Sequence, residues 1–126
     1  MKRVLILDTG TASNFVLPMA KYLQCNIDLR TTPKEALSSI KDQKYEFMLV
    51  EPFVGFFGNK KEQVKRLLVD ARTTYGLSVI VYTTQELLEV SEEFGLIEDL
   101  HYDKIFFKND SANKITPYMK NLLGKK

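Results

Sequence analysis

Four polar residues stand at the ends of short apolar runs in this chain. Asp8 follows Val4-Leu5-Ile6-Leu7, Glu51 follows Phe47-Met48-Leu49-Val50, Thr83 closes the run that begins at Leu77, and Lys108 follows Ile105-Phe106-Phe107. If those runs are strands lying side by side and pointing the same way, the four side chains meet on one rim. Two carboxylates, a hydroxyl and an ammonium can then form a partly buried ion pair. They can also make a weak site for a hard cation, since magnesium wants near-octahedral oxygen ligands and holds poorly to few carboxylates.

Other chemistry is excluded by what the chain lacks. Cys25 is its single cysteine and His101 its single histidine, so neither an internal disulfide nor a zinc site is expected. Cys25 reads as a small buried apolar residue. The formal charge is +2, and the lysines are spread along the chain apart from Lys60-Lys61 and Lys125-Lys126. A nucleic-acid partner would want a clustered basic face, so none is expected. The 126 residues suit one domain, 1–126. The apolar run after Met1-Lys2-Arg3 is too short for a signal peptide or a membrane span. A cytoplasmic location and no membrane partner follow as expectations.

The elements that must position the four residues alternate. Val4–Leu7 is continuously apolar, as in a strand buried on both faces of a parallel sheet. A helix is expected from about Ser13 to Gln24, with Phe15, Met19, Tyr22 and Leu23 inward and Pro18 disturbing its first turns. Asn26 to Arg30 alternates, which suits an edge strand. Thr32-Pro33-Lys34-Glu35 reads as a helix start, with a capping threonine, a proline at the first position and a glutamate completing a capping box. Ala36, Leu37 and Ile40 follow on its inward stripe. A third helix is expected behind Asn59 and Glu62, with Val64, Leu67, Leu68 and Ala71 inward. A fourth is expected from about Gln85 to Phe94, stopping at Gly95. A last helix carries Ile115, Tyr118, Met119 and Leu122. Strands separated by helices pair in parallel through crossovers. The expected fold is therefore α/β: a three-layer, doubly wound (βα)5 flavodoxin-like fold with parallel sheet order 2-1-3-4-5.

At these residues the chain resembles the receiver domains of two-component response regulators, over its whole length. "VLILDTG" is similar to the family's first strand, with Asp8 at the first acidic position. "YEFMLVEPF" is similar to the segment that carries the phosphoacceptor aspartate, with Glu51 on that position. "SVIVYTT" and "KIFFKN" are similar to the fourth and fifth strands. They put Thr83 on the hydroxyl switch position and Lys108 on the invariant lysine. The resemblance implies a receiver fold and a role in phosphorelay signal transduction through a protein partner, with a homodimer left open.

The departures from the family's pattern point to a pseudo-receiver. Thr9 stands where the family has a second acidic residue that ligates magnesium. Glu51 is one methylene longer than the acceptor aspartate. Asn109 and Gly55 stand where prolines are common, and Ile105 where an aromatic switch residue is usual. In-line phosphoryl transfer depends on positioning and on the metal. So Asp8, Thr9, Thr83 and Lys108 are read as a vestigial pocket around Glu51. No cofactor is expected, and any magnesium would be held weakly by Asp8 and Glu51. Glu51 could pair with Lys108 and mimic part of a phosphorylated aspartate's charge. The alternative is a receiver that still accepts a phosphoryl group.

After Glu51 the loop "EPFVGFFGN" gathers aromatic residues. Phe53, Phe56 and Phe57, with Ile105, are candidate partner contacts, since exposed apolar patches mark interaction sites. Two rival readings use the first loop. "DTG" at Asp8 also looks like the aspartic-protease signature, but those enzymes are nearly all β. "DTGTASN" could cradle a phosphate at a helix start, as in a flavodoxin-like flavin-binding protein, although Asp8 would repel it.

Overall fold

The computed structural model describes residues 2–9, 13–55, 60–83, 92, 95–108 and 112–124. Five strands form one parallel sheet: β1 (Arg3–Leu7), β2 (Asn26–Arg30), β3 (Phe47–Val50), β4 (Ser78–Thr83) and β5 (Lys104–Phe107). Their order is β2-β1-β3-β4-β5, so the sequence-predicted topology is present and the alternating strand β2 does lie on an edge. The register pairs Val4 with both Ile27 and Phe47, Met48 with Val79, and Val81 with Ile105.

Helices cover both faces. They are α1 (Ser13–Leu23), α2 (Pro33–Asp42), α3 (Lys60–Thr73) and α4 (Ala112–Leu122), with a 3-10 turn at Pro52–Gly55. Successive strand side chains point to opposite faces, and the core divides accordingly. Leu5, Leu7, Met48, Val50, Val79 and Val81 pack with α2 and α3. Val4, Ile6, Phe47, Leu49, Ile80 and Phe106 pack with Leu23 of α1 and with Ile115 and Met119 of α4. Each such buried aliphatic or aromatic side chain stabilises the fold by about 1.5–3 kcal/mol. Among the described residues, no helix is long and apolar enough to cross a membrane.

Local chemistry sets the helix ends. Thr32 Oγ1 accepts the Glu35 N–H at 3.1 Å, and its hydroxyl lies 3.1 Å from the Glu35 carboxylate, with Pro33 in the first turn. Gly76 ends the turn after α3 with φ +66, a left-handed conformation that costs glycine little. That turn lets the Leu77 N–H reach Ala71 O at 2.9 Å.

One inward assignment is corrected. Tyr22 is 61% exposed, while its neighbour Leu23 is buried. Adjacent helix positions face different directions, so seating Leu23 in the core turns Tyr22 outward. There its ring meets Lys120 Nζ of α4 at 4.3 Å. The Phe15 side chain, Asn59 and Asn109 lie outside the described residues. So does the helix expected from Gln85 to Phe94, except Glu92, which is helical.

Candidate functional site

The backbone places three of the candidate side chains. Just beyond the carboxyl ends of the strands, the sheet ladder continues for one more hydrogen bond on each. Asp8 N–H donates to Arg30 O at 3.0 Å, Glu51 N–H to Leu7 O at 2.8 Å, and Lys108 N–H to Thr83 O at 2.9 Å. Parallel pairing therefore holds Asp8, Glu51 and Lys108 at the same end of the sheet, with Thr83, the last residue of β4, between Glu51 and Lys108.

Their side chains meet. Lys108 Nζ donates to Asp8 Oδ2 at 2.7 Å and lies 3.6 Å from Glu51 Oε2. The Thr83 hydroxyl donates to Glu51 Oε1 at 2.9 Å, and the Phe53 N–H reaches the same oxygen at 3.4 Å. Asp8 Oδ1 accepts the N–H of Thr9, whose own side chain is exposed. The shorter contact of Lys108 is thus with Asp8 rather than with Glu51.

The pocket is dry for its charge. Asp8 is 3% exposed, Glu51 8% and Thr83 fully buried, whereas the Lys108 side chain keeps 25% of its surface. Glu51 Oε2 is buried and makes no hydrogen bond. Burial pushes the Glu51 carboxyl above its ordinary value. The Thr83 hydroxyl, the Lys108 charge and the Phe53 N–H act against that rise, and the Asp8 charge adds to it. The arrangement is a buried carboxylate pair with one cation shared between them. Among the described residues, no group of three or more histidine, cysteine, aspartate or glutamate side chains gathers as a metal-binding cluster.

Of the candidate partner contacts, Phe53 is half-buried and packs against the α2/α3 core rather than standing free in solvent. Its position two residues past Glu51, on the 3-10 turn, folds it back. Ile105 is half-buried against the same core. Phe56 and Phe57 lie outside the described residues. Tyr82 is an addition to the site. Its ring lies 5.9 Å from Lys108 Nζ, and it stands next to Thr83 in β4.

No family model matches the chain, and no curated protein does. Solved structures do. A two-component response regulator from Clostridium difficile is 16% identical with a TM-score of 0.74, over 98% of this chain and 97% of that one. The receiver domain of a sensor histidine kinase from Pseudomonas aeruginosa, which holds a magnesium ion in its active-site cleft, is 13% identical with a TM-score of 0.75, over 98% of each chain. A CheY-like receiver domain protein from Methanospirillum hungatei is 17% identical with a TM-score of 0.72, over 98% of this chain and 94% of that one. With the sheet order and the site geometry, this likeness shows that the chain has the receiver fold of response regulators.

Proposed function

We propose that the chain is a receiver-like signal-transduction module that works through protein–protein contacts and is not conventionally phosphorylated. One observation carries the reading: Lys108 sits on both carboxylates, 2.7 Å from Asp8 and 3.6 Å from Glu51, while Thr83 is bonded to Glu51 at 2.9 Å. The protein's own charges occupy the pocket in which an acceptor and a metal would have to work.

The donor set is a poor one for magnesium. Asp8 Oδ2 is bonded to an ammonium and Oδ1 to the Thr9 N–H, while Glu51 Oε1 takes two donors. Glu51 Oε2 alone makes no hydrogen bond, so a magnesium ion, usually held by one or two carboxylates and several waters, would have to compete with Lys108 for both carboxylates. Glu51 in its ionised form supplies about one negative charge where a phosphorylated aspartate would carry nearly two. Burial raises the Glu51 carboxyl, and Thr83, Lys108 and the Phe53 N–H favour the ionised form against it.

Incubation with acetyl phosphate and magnesium, read by intact mass, tests the proposal. The mass is expected to stay unchanged. A stoichiometric gain of one phosphoryl group would overturn it in favour of a working receiver. A pull-down with wild-type and Glu51→Ala protein asks for the partner, which the Glu51→Ala protein is expected to lose.

A further inference from the structure

The outer faces of α2 and α3 enclose a groove of about 380 Å³, within the range of pockets that hold ligand or peptide side chains. Pro33 and Leu67, both buried, close its base, and half-buried Leu37 supplies its accessible apolar surface. Lys34 and Arg66 stand on its rim, both exposed. Neither makes a hydrogen bond or ion pair with another described residue, unlike Arg3, Arg72 and Lys108, which all do. The one acid on the rim, Glu62, lies 4.0 Å from Lys65, which partly offsets its charge. The amino-terminal turn of α2 also begins at Pro33 on this groove, but Glu35 in that turn offsets its positive dipole end, so the positive charge of the groove comes from Lys34 and Arg66.

We infer that this groove docks an acidic amphipathic segment of a partner protein. Its apolar side chains would seat on Leu37, over the buried Leu67, and its carboxylates would face Lys34 and Arg66. The inference rests on reading the chain as a protein-contacting module, and it names a face separate from the Asp8–Glu51–Lys108 pocket. Grooves between helices commonly take an amphipathic helix in this way, with apolar anchors at i, i+3, i+4 and i+7. The two cations, without an ion pair among the described residues, choose the sign of the partner.

The probe is a fluorescein-labelled peptide of about 12 residues, with leucines at i, i+3, i+4 and i+7 and glutamates between. Its control carries lysines in place of the glutamates. The acidic peptide is expected to bind saturably and the basic one not at all, with amide shifts in the NMR spectrum centred on Leu37, Gln63 and Leu67. Lys34→Glu with Arg66→Glu should weaken binding about tenfold, and the Gln/Gln pair by less. These residues are exposed, so both variants keep the fold, which circular dichroism checks. Absence of saturable binding overturns the inference. So does equal affinity for both peptides, unchanged affinity in the Glu/Glu variant, or shifts on another face. Shifts at the groove with octanoate but not with the peptide would place a small amphiphile there and also overturn it. If the Glu/Glu variant still captures a partner that Glu51→Ala loses, the groove falls while the module reading stands.

Discussion

Lys108→Met removes the cation of the pocket and keeps an apolar stem of similar length. It leaves Asp8 and Glu51, both more than nine-tenths buried, without the ammonium that lies 2.7 and 3.6 Å from them. Breaking a fully buried ion pair from one side costs about 3–5 kcal/mol. The Lys108 side chain is 25% exposed, so water screens part of the interaction, and about 2–3 kcal/mol is expected. That is a large share of the roughly 5–15 kcal/mol of an ordinary domain. Urea denaturation at neutral pH should show a lower midpoint with an unchanged slope. The pH dependence then follows from Glu51. Burial already holds its carboxyl above 4.5, with Thr83 and Lys108 opposing. Losing Lys108 lifts it further. A group whose folded value is raised contributes stability that is complete below its unfolded value and is lost as pH rises through the folded value. The variant should therefore regain stability as pH falls toward 4.5, beginning at a higher pH than the wild type. Adding Glu51→Gln should restore much of the loss and flatten that recovery. A Lys108→Met protein within about 0.5 kcal/mol of wild type, with the same pH profile, would refute the shared-cation account.

Asp103→Ala should cost about 2 kcal/mol or more. Asp103 takes Arg72 at 2.7 and 3.2 Å and the Val79 N–H at 2.8 Å, and a buried donor left unpaired is expensive; thermal melts check this. Thr32→Ala should cost about 1 kcal/mol by loss of the α2 cap, read as a lower urea midpoint. His101 is buried and accepts the Ile97 N–H on Nδ1 at 2.9 Å. Burial and then the charge of Lys65 hold it below 6.5, so stability should fall as pH drops below 6.5, and His101→Gln should abolish that fall in a pH series of melts.

The sheet order was legible because the apolar runs are short, those of the inner strands are buried on both faces, and helical patterns separate them. The α2 start was legible because threonine, proline and glutamate each act locally. The meeting of Asp8, Glu51, Thr83 and Lys108 follows from the sheet order alone. What escaped was long-range. Tyr45 is buried because its hydroxyl finds Asp28 at 2.7 Å, and no local pattern announces that partner. The segment before β5 is held by Arg72, which bonds Asp99 O and Asp103 from a different helix, and by the Glu98–Tyr102 bridge. Periodicity sees only a polar stretch there. Tyr22 went wrong because two neighbouring large residues competed for one inward position.

The last rungs at Asp8, Glu51 and Lys108 use only main-chain atoms, so the spacing of their Cα atoms belongs to the scaffold. Any tuning of the pocket must come from reach. Shortening Glu51 to aspartate would draw its carboxyl back by about 1.5 Å from a fixed anchor, off Thr83 and toward the strand end. Exchanging Thr9 for an acid would add a carboxylate beside Asp8 without changing that ladder. Both exchanges act on side chains alone and leave those main-chain rungs in place.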